Sequence, residues 1–163
     1  MSQGKVWKYG DNVNTDVIFP GRYTYQIMPP EEMAKHAMED LDPEFAGSVR
    51  AGDVVVAGKN FGCGSSREQA AACLKAAGVQ AVVAKSFARI YFRNAINLGL
   101  AVLACDEAVD LLEKGDAVDI DFAGDEIRSP KGTFRFLPLP ASVIGILEAG
   151  GLLEYTKKKL EKE

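Results

Sequence analysis

Histidine is nearly missing from this chain: one residue, His36, among 163. A serine hydrolase needs an imidazole beside its nucleophile. His36 instead falls in an expected helix among Glu31, Glu32, Glu39 and Asp40, the setting of a solvated residue rather than a general base. Cysteine is scarce as well. Cys63, Cys73 and Cys105 have no CxxC spacing, make no plausible set of four zinc ligands and, being odd in number, suggest no disulfide framework. No metal site is expected from them. An excess of positive charge is also missing: 19 Lys and Arg stand against 23 Asp and Glu, a net charge of −4. With no basic patch interleaved with aromatics, this argues against nucleic-acid binding. The segment Met1-Ser2-Gln3-Gly4-Lys5 has no apolar stretch of the secretory kind, and no run approaches transmembrane length. The expectation is a cytoplasmic protein without membrane contact. There is no internal repeat and no low-complexity stretch, so 1–163 reads as one domain, long enough to bury a real core.

What the chain does have is concentrated in Gly58-Lys59-Asn60-Phe61-Gly62-Cys63-Gly64-Ser65-Ser66-Arg67-Glu68. The apolar run Val54-Val55-Val56 enters this glycine-rich turn, which delivers two serines and an arginine to the start of an alanine-rich helix. Backbone N–H groups, hydroxyls and a guanidinium brought together in this way suit an anion, a carboxylate above all. Ser65 followed by Glu68 fits a capping box, which predicts a helix over Gln69–Ala77 with Gly78 just beyond its end. Gly62 and Gly64 are expected to let a ligand approach the backbone closely. The plainer alternative is a capped helix after a tight turn, with Arg67 solvated. A phosphate-binding Walker loop does not fit, because Ser65 stands where its lysine belongs. A dinucleotide fingerprint fails at Arg67, which is too large for the close helix–strand packing that motif needs. Cys63, inside the turn, is within reach of solvent and oxidants, so its oxidation is expected to block the site. Cys73 and Cys105 sit in apolar runs and are expected in the core.

Along the chain, strand and helix alternate. Asp53–Ala57, Gln80–Ala84 and Leu100–Ala104 are continuous apolar runs, as central strands covered on both faces require. Between the last two, Ser86 to Leu98 reads as a second helix, with Ser86 as its cap and Gly99 at its end. This order favours a parallel core. The last third changes character: Ala117–Phe122 alternates, Gly124-Asp125 turns, Glu126–Arg128 continues and Thr133–Phe136 alternates again, an antiparallel portion. A helix near Ala141–Glu148 stops at Gly150-Gly151, and the charged tail Lys157 to Glu163 is expected frayed or helical at the surface. The first fifty residues are less regular. Asp11-Asn12-Val13-Asn14-Thr15-Asp16 is dense in turn formers, and Pro29-Pro30-Glu31 opens a helix. The stretch 20–28 is either a plain surface connection or a mobile loop that touches a ligand. Arg89 and Arg93, four apart on one helix face, are either a solvated edge or a contact with a partner; Glu107 and Asp110 are expected at the surface.

Three separated segments carry a resemblance: Asn14-Thr15-Asp16-Val17-Ile18, Gly62-Cys63-Gly64-Ser65-Ser66-Arg67-Glu68 and Ser86-Phe87-Ala88-Arg89-Ile90-Tyr91. In this order and spacing they resemble the swivelling domain of the aconitase superfamily. At this length the chain is similar to the free-standing small subunits of 3-isopropylmalate dehydratases, over essentially its whole extent. The resemblance implies an α/β fold, a swivelling β/β/α domain with mixed parallel and antiparallel sheet like the aconitase C-terminal domain. It also implies a division of labour, in which a larger partner holds a [4Fe–4S] cluster and this chain, binding no cofactor itself, closes the site. Three scattered cysteines agree with that division. The reaction implied removes water from 2-isopropylmalate and adds it back to give 3-isopropylmalate, in leucine biosynthesis.

Carried over by position, Ser65 resembles the family's base that takes a proton from carbon, and Ser66 and Arg67 its carboxylate ligands. Gly64, Thr24 and Tyr25 join them as substrate-binding candidates. The proton removed lies α to a carboxylate, so donors placed on that carboxylate stabilise the charge that builds in the transition state. Homoaconitase small subunits, whose substrate carries an extra carboxylate, are the nearest alternative. In this group the residues after the Pro-Gly pair meet the variable part of the substrate. Here Tyr23, Thr24, Tyr25 and Gln26 follow Arg22 with no further cation, which tilts the reading toward an isopropyl group. A non-catalytic carboxylate-binding module with the same fold is the other alternative, and the intact Ser65-Ser66-Arg67 set speaks against it. The expected partner is the cluster-bearing large subunit, in a heterodimer or heterotetramer.

Overall fold

A computed structural model describes residues 3–162. Readings that fall on Met1, Ser2 and Glu163 lie outside the described residues. The strands are β1 Gly4–Lys8, β2 Val54–Val56, β3 Ala81–Ala84, β4 Ala101–Ala104, β5 Ala117–Asp121, β6 Glu126–Ser129 and β7 Gly132–Arg135. The helices are α1 Thr15–Ile18, α2 Pro30–Lys35, α3 Phe45–Ser48, α4 Gln69–Ala76, α5 Arg89–Leu98, α6 Asp106–Leu111, α7 Ala141–Ala149 and α8 Leu152–Glu161, with a 3-10 turn at Gly21–Tyr23.

All seven strands form one sheet in the order β4-β3-β2-β1-β5-β6-β7. The three apolar runs are the parallel strands β2, β3 and β4, in register Val54–Ala81–Ala101, and every residue of β2 and β3 is buried. The final third is antiparallel, as its alternation predicts. The parallel and antiparallel portions are not separate sheets. They are joined by β1, which pairs parallel with β2 through Val6 and Val54 and antiparallel with β5 through Gly4 and Val118. No strand is expected there from sequence, because lysines at positions 5 and 8 interrupt the apolar pattern of a five-residue segment.

Each face of the parallel portion carries its own core. On one, Trp7, Val55, Val82 and Val102 meet Leu74 of α4 and Tyr91 and Ala95 of α5. On the other, Val6, Val54, Val83 and Leu103 meet Val109 of α6 together with Ile120, Ile127 and Phe134 of the antiparallel portion. Cys73 lies in the first core and Cys105 in the second, both buried. A buried carboxylate, Asp53, ties the entry of β2 to β1. It accepts hydrogen bonds from the Lys5 N–H (2.9 Å), the Arg50 N–H (2.9 Å) and the Trp7 indole (2.9 Å), which offset the loss of hydration.

Three local expectations are corrected. Helix α4 begins at Gln69 with Glu68 in the cap position and no side-chain cap, so Ser65 is not part of a capping box. Helix α5 begins at Arg89, after Ala88, and Ser86 does not cap it. The Ser86 hydroxyl instead accepts from the Asn60 N–H at 2.8 Å, while Phe87 bridges to Phe61. His36 is not a solvated helix residue: it closes α2, stacks on Tyr23 at 4.2 Å and sits beside Glu32 and Glu39. The charged tail is helical through Glu161. Helix ends at Gly99 and Gly150 fall where glycine takes the left-handed conformation, as expected.

Candidate active site

The turn after β2 is gripped from both sides. Asn14 pairs with Cys63 and Phe61 with Phe87 as short parallel bridges, continuing the parallel order past the strand ends. The Thr15 N–H donates to the Cys63 carbonyl at 2.8 Å, and the Gly62 N–H to the Val13 carbonyl at 2.8 Å. Gly62 and Gly64 both have positive φ, +84° and +100°. Their missing side chains do not clear room for a ligand, which corrects the expectation from sequence. A Cβ on Gly62 would stand 2.2 Å from the Tyr91 ring, and one on Gly64 would stand 2.6 Å from the Asn14 side chain. The protein itself fills that space; the Gly64 backbone nevertheless remains exposed. Tyr91 is buried beneath the turn, and its hydroxyl donates to the Ala70 carbonyl at 3.1 Å. Burial pushes its phenol, and the Cys73 thiol nearby, to pKa values well above their ordinary ones.

Above this floor, one network gathers the polar residues. The side chain of Arg67 is only 14 % exposed. Its Nε donates to the Ser65 hydroxyl at 3.0 Å, one Nη to the Thr24 hydroxyl at 2.5 Å and the other to the carboxylate of Asp16. Ser65 Oγ is also within 3.3 Å of the Thr15 hydroxyl. Gln69, from the first turn of α4, holds the Thr24 carbonyl at 3.0 Å, and Asn94 of α5 holds the Ser66 carbonyl at 3.2 Å. Three separate segments thus meet at one guanidinium and one serine, 14–16, 20–28 and the glycine turn, and α5 braces that turn from the Ser66 backbone.

Of the residues singled out by sequence, Ser65, Arg67 and Thr24 are brought into direct contact. Ser66 is joined to them through the backbone, with its side chain exposed. Tyr25 is 98 % exposed, and among the described residues its side chain makes no hydrogen bond. Cys63 is half-buried at the bridge to Asn14. Arg22 turns away from the site: it forms ion pairs with Glu39 (2.7 Å) and Asp40 (3.0 Å) and lies over the Tyr23 ring. Thr15, Asp16, Gln69 and Asn94 have no assigned part in the sequence reading. For the first two, the signal is the Asn14-Thr15-Asp16 segment itself; for Gln69 and Asn94 there is none, because their contacts are long-range.

A guanidinium beside a hydroxyl at an exposed turn can hold a carboxylate and stabilise an oxyanion on the serine. Among the described residues, no group of three or more His, Cys, Asp or Glu is placed to hold a metal ion. No helix among them is long and apolar enough to cross a membrane.

Residues 23–108 match the family model of the aconitase C-terminal domain. The chain is 52 % identical over 163 residues to a 3-isopropylmalate dehydratase small subunit of Caldicellulosiruptor bescii, covering 99 % of this chain and 98 % of that protein. It is 53 % identical over 161 residues to a 3-isopropylmalate dehydratase small subunit of Archaeoglobus fulgidus, covering 98 % and 99 %. A crystal structure of a 3-isopropylmalate dehydratase from Methanocaldococcus jannaschii superposes with a TM-score of 0.91 at 45 % identity, over 96 % of this chain and 93 % of that one. The chain belongs to the aconitase C-terminal-domain family, among the small subunits of 3-isopropylmalate dehydratases.

Proposed function

We propose that this chain completes a split active site, with Ser65 as the base that removes a proton from 2-isopropylmalate and Arg67 as the ligand of the adjacent carboxylate. The observation that carries this reading is the Arg67 Nε hydrogen bond to Ser65 Oγ, 3.0 Å long, on a guanidinium largely withdrawn from solvent. A serine hydroxyl is a poor base in water. As an alkoxide beside a fixed cation, with solvent excluded by a partner, it becomes a usable one. Proton transfer breaks the C–H bond, forms the Ser65 O–H bond and leaves the electron pair on carbon, spread into the carboxylate. A guanidinium has five N–H donors, and three are committed to Ser65, Thr24 and Asp16, so two remain, one on each Nη, for that carboxylate. Charge growing there in the transition state is met by a donor already in place. Ser66 and the exposed backbone of Gly64 complete the carboxylate site, and Tyr25 borders it.

The residues of this chain do not fit a cluster site, since Cys73 and Cys105 are buried in different cores. The [4Fe–4S] cluster belongs, in this reading, to the large subunit, and the work of this chain is confined to the proton and the carboxylate. The pathway is leucine biosynthesis, in the cytoplasm.

The pairing of Arg22 supports 2-isopropylmalate over homocitrate. Arg22 is the one cation of the 20–28 stretch, and its charge is already matched by Glu39 and Asp40. An extra substrate carboxylate would find no uncommitted partner there, whereas Tyr25 and Ile27 offer apolar surface to an isopropyl group. A covalent adduct on Cys63, two residues from Ser65, is expected to obstruct the same mouth; full activity after complete modification of Cys63 would remove that part.

The test is anaerobic turnover by this chain mixed with a cluster-loaded large subunit from the same source, offered 2-isopropylmalate and homocitrate separately, with each subunit alone as control. Turnover of 2-isopropylmalate by the mixture only is the expected result. Preference for homocitrate would overturn the substrate assignment, and turnover by the large subunit alone would overturn the split site.

A further inference from the structure

Thr15 lies in a turn-rich segment that carries part of the family resemblance but assigns this residue no role. It is the first residue of α1, 1 % exposed, and with Asp53 at 5 % one of two buried polar or charged residues among the described residues. Its backbone is fixed at both ends: the N–H donates to the Cys63 carbonyl at 2.8 Å, and the carbonyl accepts from the Phe19 N–H at 2.9 Å. Its hydroxyl has one partner among the described residues, Ser65 Oγ at 3.3 Å. A buried hydroxyl on a backbone clamped to the catalytic turn, facing only the serine, needs a reason. Packing alone would be met by valine, which has the same shape and no polar atom to satisfy.

We propose that Thr15 is a positioning residue for Ser65, donating a hydrogen bond that favours and orients its alkoxide. The inference rests on the reading of Ser65 as the base. While Ser65 is protonated, either hydroxyl can donate to the other. Once Ser65 has released its proton to solvent, its oxygen can only accept, and two donors already point at it: Thr15 Oγ–H from the buried side and Arg67 Nε–H from the other. Neither has to move as the charge forms, which is the condition under which a donor contributes most to an oxyanion. Thr15 keeps its own proton throughout. Its part is to hold the serine oxygen in one direction and to lower the cost of ionising it.

The two donors are not equivalent. Arg67 also binds Thr24 and Asp16 and, in the proposed mechanism, the substrate carboxylate, so its Nε moves with whatever those partners do. The Thr15 hydroxyl bonds none of them. Thr15 is attached instead to the backbone of Cys63, two residues before the serine, so the distance between the two hydroxyls is set by the turn itself.

The experiment compares wild type, Thr15→Val, Thr15→Ser and Ser65→Ala in the complex with the cluster-loaded large subunit, measuring kcat and KM across pH, with thermal unfolding of each isolated chain. Thr15→Val is expected to lower kcat roughly 10- to 100-fold with KM changed less than about twofold, because the lost donor acts on the base and not on the bound substrate. Without this donor the alkoxide forms less readily, so the rise of kcat with pH should move to higher pH. Thr15→Ser, which restores the hydroxyl, is expected to recover most of the rate and the original profile. If Thr15→Val unfolds, Thr15→Ala removes the same hydroxyl with less bulk and carries the comparison. A wild-type kcat and pH profile in the folded hydroxyl-less variant would overturn the role of Thr15, as would a Thr15→Ser variant no better than Thr15→Val. Ser65→Ala separates the two levels of the argument. If it retains turnover, the base assignment fails; if it abolishes turnover while Thr15→Val keeps the wild-type kcat and pH profile, only the positioning role fails.

Discussion

Arg67 pairs with Asp16 across 51 residues of sequence, a largely buried guanidinium against a carboxylate 64 % exposed. The carboxylate partly neutralises the charge that the proposed substrate would use, and it also fixes the plane of the guanidinium. The two effects act on different kinetic constants. Asp16→Asn keeps the shape and one acceptor oxygen but makes the site one charge more positive. KM for a dicarboxylate substrate is expected to fall, and kcat to fall with it by about threefold to tenfold, because Arg67 is held less firmly for the transition state. Steady-state kinetics of the reconstituted complex at fixed ionic strength would check this; a raised KM with unchanged kcat contradicts it.

The pairing of Arg22 with Glu39 and Asp40 makes specificity open to change without touching the catalytic network. Both pairs are exposed, so Glu39→Gln with Asp40→Asn is expected to leave stability nearly unchanged. The double variant leaves Arg22 without its counter-charges beside the 20–28 stretch. The ratio of kcat/KM for homocitrate to that for 2-isopropylmalate should then rise about tenfold. Competition assays with both substrates measure that ratio directly. No change would mean that Arg22 does not face the substrate in the assembled enzyme.

Much of this was legible in the sequence wherever the local signal and the tertiary outcome agree. The runs around Val55, Val82 and Val102 suit two-sided strands and form them, and Gly99 and Gly150 stand where helices are expected to end and do end. The misreadings share one cause. Ser65 and Ser86 each have the local pattern of a helix cap, yet each hydroxyl is occupied by a partner from elsewhere in the chain, Thr15 for one and the Asn60 N–H for the other, with Arg67, two residues on, also donating to Ser65. Strand β1 was hidden because its burial comes from neighbours about 50 and 110 residues away, Val54 and Val118, and not from its own composition. The part of the site supplied by the glycine turn could be found by motif, whereas the part supplied by Thr15, Asp16 and Asn94 depends on how that turn is gripped.

Gly62 is the tightest point of that grip. A methyl group there would overlap the Tyr91 ring at 2.2 Å, on a backbone with φ of +84°. Tyr91 cannot swing aside, since it is buried against Phe61 and bonded to Ala70. Gly62→Ala therefore combines an unfavourable backbone with a core clash, and a loss of about 3 kcal/mol or more is expected. Urea unfolding of the isolated chain measures it. A loss under 1 kcal/mol would show that the turn can move away from α5 at little cost.

The same tyrosine sets an alkaline limit. Burial raises the Tyr91 phenol well above its ordinary 10.0, so the folded state favours the protonated form. The sign follows from linkage: below pH 10 both folded and unfolded chains hold the proton and the stabilisation is complete. Above pH 10 the unfolded chain loses it first, and stability falls by about 1.4 kcal/mol per pH unit for this one group. Tyr9, raised by burial and by its hydrogen bond to Asp42, acts in the same direction. Tyr91→Phe keeps the ring that supports Gly62 and loses only the bond to Ala70, about 1 kcal/mol at neutral pH. The variant should therefore be less stable than wild type at pH 7 and more stable above about pH 11, where the phenol has become the costlier group. Denaturant titrations from pH 7 to 11.5 would reveal the crossing. Parallel curves over that range would mean that the phenol reaches water without unfolding of the chain.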